Sequence, residues 1–329
     1  MFDKYTAAKI LGAVALLTTA TACGSGGATT QTADGLTKVA IGSMAANSLS
    51  FPYTIAQEQG FFHDAGLEVE TVNATSGPQL TAALIGKSTQ IAIGTPENAM
   101  AAMDQGQSLV AIPPFGRIDM VLVTPESSGI TDVKSLQGKQ IGVAARGSAA
   151  ERFARTVLAG NGVDPDSVTY VAVGAGATME PAVRAGKVDA TVGATSTVVT
   201  MQDHGIPLRE LANPRSGTAG PLGDYGLQTF WTTTRDFQQG QPQVLTGFCT
   251  AMNRASAWLA DGVNRDAATQ SLATFLQIPV ASAAKIWDRT HTSWGSGMDA
   301  TQWTANVDWV LGPGKNLPFD RNVLADCGH

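Results

Sequence analysis

Short apolar runs alternate with segments of helical periodicity over most of the chain. The apolar or alternating runs, which predict β-strands, are TKVAIGS, LEVETVNA, QIAIGT, SLVAIPPF, DMVLVTP, KQIGVAA, VTYVAVG, DATVGA and TFWTTT. The segments between them repeat apolar residues at the spacing of one helix face, as in FPYTIAQEQGFF, GPQLTAALIGK, PENAMAAMDQG and AAERFARTVLAGNG. Strands interleaved with amphipathic helices predict an α/β fold built on parallel sheets.

Two stretches of the chain share one internal plan. Both TAALIGKSTQIAIGTPENAMAAM and EPAVRAGKVDATVGATSTVVTM run helix, Gly-Lys turn, strand, short loop and helix. This repetition predicts two lobes of the same build, with residues 36–123 in the first and residues 124–228 in the second. The helical residues 229–329 are expected to pack back on the first lobe. Their tryptophans are expected in the core, and they are Trp258, Trp287, Trp303 and Trp309.

The first residues have the composition of an export signal. Lys4 and Lys9 precede the apolar run ILGAVALL, which is shorter than the about 20 residues that a membrane-spanning helix needs. The small residues that follow and end at Cys23 resemble a bacterial lipoprotein signal, although Ala20 stands where that signal usually has leucine. The resemblance implies removal of residues 1–22, lipidation of Cys23 and anchoring on the extracytoplasmic face of the cell membrane. The alternative is an incidental cysteine beside an ordinary cleavage site.

Charge and cysteine content agree with an exported protein. Residues 23–35, rich in Gly and Thr, predict a flexible tether. Without residues 1–22 the chain keeps 19 basic and 26 acidic residues, so it offers no basic footprint for nucleic acid.

Cys249 and Cys327 are the only cysteines after Cys23. An even pair in an oxidising compartment fits one disulfide, and two separate buried thiols are the alternative.

Long stretches of the sequence resemble one family of transport proteins. The segment from FPYTIAQEQGFF to SLVAI resembles the first lobe of nitrate/sulfonate/taurine-type ABC-transporter substrate-binding proteins, an SsuA/THI5-like and NMT1-like family that includes thiamine-precursor binders. The segment from SGITDVKSLQGKQIGVAARGSAAERF to KVDATVGA resembles the second lobe, and PQVLTGFCTAMNRASAWLADG resembles the returning helices.

The resemblance implies both an architecture and a mode of action. The architecture is the bilobal type II periplasmic-binding-protein fold, with two mixed or parallel sheets flanked by helices and two crossover strands, expected near residues 117–124 and 226–232. The mode of action is capture of a ligand in the interlobe cleft, hinge closure, and delivery to permease and ATPase subunits. A monomer without a cofactor or a metal is expected.

Five loops that lead into predicted helix starts form the candidate ligand site. They cover residues 43–51, 75–79, 94–98, 145–149 and 194–197, and each contains Ser or Thr. Ligands of open α/β sheets bind beyond the carboxyl ends of the strands. The hydroxyls either cap the helices or, with backbone N–H groups, hold an anion. The predicted ligand-binding residues are Met44, Ser50, Phe51, Ser76, Gly77, Thr95, Pro96, Glu97, Arg117, Arg146, Gly147, Ser148, Ala149, Thr195, Ser196 and Tyr225.

The charged and apolar candidates carry alternatives. Arg117 and Arg146 either bind a ligand oxygen bidentately or are solvated or ion-paired. Glu97 either complements the dipole of its own helix or faces the cleft, where it would favour an amine and hence a zwitterion such as an amino-sulfonate. Apolar walls could come from Met44, Phe51, Met179, Tyr225 and Phe230, of which Phe230 is expected in the core.

Catalysis is not expected. Fungal pyrimidine-precursor synthases on this fold use a cysteine-rich signature and active-site histidines, and this chain has no cysteine cluster. Ser148 lacks a Gly-x-Ser-x-Gly context, and no Lys-Ser/Thr pair follows Gly147 as in a phosphate-binding loop. The sequence therefore predicts a binding protein for a sulfonate, taurine, nitrate or aromatic carboxylate. A thiamine-precursor binder and a sensory receptor are the alternatives.

Overall fold

The computed structural model describes residues 29–44, 48–74, 76–324 and 327. The strands are β1 Thr37–Met44, β2 Leu67–Ala74, β3 Ile91–Gly94, β4 Leu109–Arg117, β5 Met120–Pro125, β6 Gln140–Val143, β7 Thr169–Ala172, β8 Ala190–Ala194, β9 Leu208–Ala212, β10 Leu227–Thr234 and β11 Trp294–Gly295. The helices are α1 Phe51–Glu58, α2 Phe61–Asp64, α3 Gly77–Ile85, α4 Pro96–Asp104, α5 Ala149–Gly160, α6 Glu180–Arg184, α7 Thr195–Asp203, α8 Leu222–Tyr225, α9 Arg235–Gly240, α10 Pro242–Ala260, α11 Arg265–Leu276, α12 Val280–Thr290, α13 Ala300–Leu311 and α14 Phe319–Asn322. Cys23 and the predicted signal lie outside the described residues.

The strands form two sheets with helices packed against them. In the first sheet the strand order is β11-β4-β10-β3-β1-β2, and in the second it is β7-β6-β8-β5-β9. Strands β1, β2 and β3 pair in parallel, as do β6, β7 and β8. The apolar runs predicted as strands all lie in these sheets, and the bilobal α/β fold class is confirmed.

Each sheet also contains an antiparallel strand, so the two sheets are mixed. Strand β10 runs antiparallel to β3 and β4, and β5 runs antiparallel to β8 and β9. Both are the first strands after the chain has passed from one sheet to the other. Because the chain arrives at the carboxyl edge of the new sheet, the arriving strand has to run against its neighbours.

The chain passes between the sheets at residues 118–119 and 213–226. Residues 120–123, predicted for the first lobe, lie in β5 of the second sheet, and Leu227 and Gln228, predicted for the second lobe, open β10 of the first sheet. Residues 120–123 are all apolar, and a strand in either sheet would show the same hydrophobicity, so the sequence does not assign them to one sheet.

The late helices complete the first lobe and reach the second. Trp303 in α13 is fully buried and packs against Phe230 of β10, with ring centroids 5.7 Å apart. At the end of α13, Trp309 Nε1 donates to Thr156 Oγ1 of α5 at 2.9 Å. Helix α13 therefore connects the two lobes in addition to the two chain passages. A disulfide joins Cys249 of α10 to Cys327, with a Cα–Cα distance of 5.2 Å.

The residues just before β1 are bonded to it, so the predicted tether ends earlier than residue 35. The Lys38 amide donates to the Thr30 carbonyl at 2.8 Å, and the Thr32 amide donates to the Leu36 carbonyl at 2.8 Å. These bonds form a turn that the Gly- and Thr-rich composition did not indicate. Within the described ranges, none of the helices is both long and apolar enough to cross a bilayer.

Candidate functional site

The carboxyl edges of the two sheets meet where the chain passes between them. Strand β4 ends at Arg117, which pairs with Leu227 at the start of β10. Three residues later β5 begins at Met120, which pairs with Ala194 at the end of β8. The end of β3, which leads into α4, and the end of β8, which leads into α7, therefore lie at the edges of the two sheets that face each other.

A cavity of about 280 Å³ lies between the lobes, at the start of α7. The second lobe lines it with the turn at Gly176 and with the first turns of α7, and the first lobe lines it at Leu276 and Ile278. The hydroxyl-bearing lining residues are Ser196, Thr197 and Thr200. Small-molecule sites commonly combine apolar walls with a few such polar groups. Ser196 is the predicted site residue that the structure places in this cavity.

Asp119 is a buried carboxylate in the first passage between the sheets. It accepts a short hydrogen bond from the Thr195 hydroxyl at the start of α7, and its amide donates to the Gln228 side chain. Burial raises the pKa of Asp119 to about 6, while the bond from Thr195 and the charge of Arg215 lower it. The hydroxyl of Thr195, a predicted ligand residue, is thus hydrogen-bonded to another residue of the protein.

Arg215 is a second charged residue at the passages that the sequence analysis did not identify. It follows β9 in the second passage, and it donates from Nη1 to Ser293 Oγ at 2.5 Å and from Nη2 to Thr292 Oγ1 at 2.7 Å. For Asp119 a signal existed, because a lone acid interrupts the apolar run FGRIDMVLV. Arg215 stands among Pro, Ser and Gly and had no comparable signal.

The predicted site residues before α1 belong to the interior of the first lobe. Ser50 is fully buried, and its Oγ accepts a bond from the Met44 amide at 3.1 Å. Phe51 is also fully buried, and its ring centroid lies 5.6 Å from that of Phe275 and 6.0 Å from that of Trp294. Ser50 therefore secures the end of β1 and Phe51 forms part of the core.

The starts of α3 and α4 are in direct contact. A Cβ on Gly77 would overlap the Asn98 amide, and Asn98 Nδ2 donates to Thr95 Oγ1 at 2.8 Å. Neither Ser76 nor Thr95 caps its own helix with the side chain, contrary to the capping interpretation. Pro96 and Glu97 form the first turn of α4, where the charge of Glu97 complements the helix dipole.

The start of α5 is occupied by a carboxylate of the protein itself. Glu151 accepts a bond from the Gly147 amide at 2.8 Å and pairs with Arg146 at 3.0 Å and with Arg155 at 3.1 Å. Ser148 caps the helix by accepting from the Glu151 amide at 3.4 Å, and Gly147 has a φ of 74°. Burial raises the pKa of Glu151, but the Gly147 bond and the arginines outweigh it and hold the pKa below its usual value.

The remaining candidates are distributed around the site. Arg117 Nη1 donates to the Asp224 carbonyl at 3.1 Å. Tyr225 in α8 is exposed, whereas Phe230, Met179 and Met44 are buried. Ala149 is the first residue of α5. Among the described residues, no group of three or more His, Cys, Asp or Glu side chains is placed to hold a metal ion.

Two α/β lobes connected by two chain passages, with a cavity between the lobes, define the class of the protein as a periplasmic-binding-protein fold. The chain belongs to the NMT1/THI5-like family, whose sequence profile matches residues 47–262. No curated protein sequence matches the chain.

Solved structures share this fold at low sequence identity. The alkanesulfonate-binding protein SsuA from Xanthomonas axonopodis pv. citri, bound to MOPS, is 20% identical with a TM-score of 0.69 over 87% of this chain and 98% of that chain. The periplasmic aliphatic sulphonate-binding protein SsuA from Escherichia coli is 18% identical with a TM-score of 0.72 over 87% and 92%. The periplasmic nitrate-binding protein NrtA from Synechocystis PCC 6803 is 14% identical with a TM-score of 0.65 over 87% and 84%.

Proposed function

We propose that this chain is the extracytoplasmic solute-binding component of an ABC importer and that it delivers a small organic anion or zwitterion to a permease. The observation that carries the proposal is the cavity between the lobes at the start of α7, in a member of the NMT1/THI5-like family. The sulfonate and nitrate named for proteins of the same fold support an oxyanion head group. The protein acts by binding and not by catalysis.

The proposed binding mode uses the start of α7 for the charged head and the cavity walls for the body. The Ser196 hydroxyl and the positive end of the α7 dipole attract an anion without a formal cation. Met201, Leu276 and Ile278 line the same cavity and suit a short apolar chain or a ring. A zwitterion would place its amine away from the start of α7.

A pyrimidine precursor of thiamine is the second candidate ligand. No lysine or arginine is among the described residues that line the cavity, and Glu180 is its one ionisable lining residue. Such a lining also accepts an uncharged or amine-bearing ring. The family description and the apolar walls both fit this candidate.

A thermal-shift screen distinguishes the candidates. The mature protein is heated with alkanesulfonates, taurine, nitrate, aromatic carboxylates and aminopyrimidines, and the ligand is expected to raise Tm once its concentration exceeds its Kd. Ser196→Trp fills the cavity and should abolish the shift, whereas Thr246→Trp on the exposed face of α10 should keep it. Hits among aminopyrimidines alone would favour the second candidate. A shift that survives Ser196→Trp would contradict binding in this cavity.

We also propose that Cys23 is lipidated and anchors the protein to the membrane. The lipoprotein-like signal that ends at Cys23 supports this. Cys23→Ser should move the protein from the membrane fraction to the soluble extracytoplasmic fraction, and labelled palmitate should no longer be incorporated. Equal labelling of the wild type and the variant would contradict the anchor.

A further inference from the structure

A second pocket, of about 310 Å³, lies beside the second passage between the lobes. Its lining includes Arg117 at the end of β4, Ile118 in the first passage, Arg215 and Asp224 in the second passage, and Thr292 in the turn before β11. Helices α7 and α11, which border the interlobe cavity, contribute no residue to this lining. The pocket is therefore separate from the proposed ligand cavity, and we call it the hinge pocket.

The two arginines of the hinge pocket have no ion-pair partner within the described part of the chain, although most of the other arginines there are ion-paired. Arg117 donates to a backbone carbonyl, and Arg215 donates to two hydroxyls. Burial lowers the pKa of Arg215, the Asp119 carboxylate raises it, and the charge of Arg117 lowers it again. Two guanidinium groups thus repel each other, with Asp119 and Asp224 as the neighbouring acids.

We propose that the hinge pocket binds a small oxyanion of the sulfate or phosphate class between Arg117 and Arg215. Each guanidinium carries five N–H donors, and the described bonds use one on Arg117 and two on Arg215. An oxyanion between the two groups would accept the remaining donors and remove their mutual repulsion. Because β4, the second passage and the turn before β11 all contribute, the anion would also fix the relative position of the two chain passages.

Sulfate titration at constant ionic strength tests the site. Sulfate should raise the Tm of the wild type with the logarithmic dependence on concentration that binding to the folded state gives. Arg215→Gln should raise the sulfate concentration needed for the same rise in Tm at least tenfold. Arg209→Gln is the matched control, because Arg209 in β9 also donates to protein oxygen but does not line the hinge pocket. An equal rise in all three proteins would be a general salt effect and would overturn the proposal.

Two further variants locate the sulfate. Ser196→Trp, which fills the interlobe cavity, should retain the sulfate response, and its loss would assign sulfate to that cavity and overturn the hinge site. Thr292→Glu places a carboxylate beside Arg215, so it should raise Tm without sulfate and abolish the response to sulfate. This variant keeps the proposal testable if Arg215→Gln unfolds. A full sulfate response in Thr292→Glu would count against the site.

Discussion

Glu151 explains why the glycine and serine before α5 are not a free anion site. The carboxylate lies four residues after Gly147, and the helical turn returns it to the Gly147 amide. A serine cap followed three residues later by glutamate is a capping-box pattern, in which the chain supplies the negative charge that the start of the helix attracts. Arg146 is held in the same network. The groups that the sequence predicted to bind an anion are therefore already bonded to a carboxylate of the protein.

The first prediction concerns the contribution of Glu151 to stability. Glu151→Gln should lower the free energy of unfolding by about 1–2 kcal/mol, because it removes a charged acceptor from the Gly147 amide and from two arginines. Urea denaturation at neutral pH measures the change. Glu126→Gln is the control, because Glu126 is exposed and should change stability by less than about 0.5 kcal/mol. Equal effects of the two substitutions would contradict the assigned network.

Asp119 gives the second prediction, a pH dependence of stability. Its pKa is raised from 3.8 to about 6, so between these values the folded protein binds more protons than the unfolded chain. The contribution of Asp119 therefore stabilises the protein as pH falls from about 6 towards 4, by about 3 kcal/mol at most. Asp119→Asn should remove this component.

Urea unfolding at pH 7.5 and pH 4.5 measures that component as the difference between wild type and Asp119→Asn. Asp224→Asn, which changes an exposed acid nearby, should leave the slope of the wild type unchanged. Parallel pH profiles for wild type and Asp119→Asn would show that Asp119 does not titrate in this range.

At the scale of elements, hydrophobic periodicity predicts most strands and helices but fails at β9. This strand lies at the edge of the second sheet and contains Arg209 and Glu210, whose side chains reach polar partners. Its sequence LRELA lacks the continuous apolar run of a central strand, because an edge strand needs fewer buried side chains. The periodicity of a segment reports burial, and β9 is only partly buried.

The candidate site was less predictable because the facing of a side chain at a helix start depends on tertiary packing. Ser50 and Phe51 lie at the start of a helix in the same way as Ser196, yet they point into the core and Ser196 lines the interlobe cavity. Arg215 reaches the hinge pocket through its position in the second passage, 98 residues after Arg117 in sequence. Neither spacing nor composition contains that information.

The third prediction concerns the element that carries the disulfide. Cys249 in α10 and Cys327 are separated by 78 residues, and the link restricts the unfolded chain over that loop. Replacing both cysteines by serine should lower the free energy of unfolding by about 2–4 kcal/mol. Thiol counting by mass spectrometry with and without reductant checks the bond itself. Two free thiols in the native oxidised protein would contradict the link.

At the scale of the whole molecule, α12 holds the second lobe against the first. Ser282 donates to Asp203 at 2.5 Å, and Lys285 forms an ion pair with the same carboxylate at the end of α7. One turn further along α12, Arg289 lies 3.6 Å from Glu210 of β9. These contacts join α12 to α7 and to β9 of the second lobe. The relative position of the lobes therefore depends on polar contacts that can be broken without loss of either core.

Asp203→Ala should consequently weaken the contact between the two lobes while each lobe stays folded. The substitution removes the acceptor of both Ser282 and Lys285, so the lobes should separate more often and the radius of gyration from small-angle X-ray scattering should increase. Asp236→Ala is the control, because Asp236 pairs with Lys87 at 3.7 Å within the first lobe and its loss should leave the radius unchanged. If the ligand binds between the lobes, saturating ligand should restore the compact form of Asp203→Ala, because closure supplies the free energy that the missing contacts no longer provide. An unchanged radius in the ligand-free variant would show that these contacts do not control the distance between the lobes.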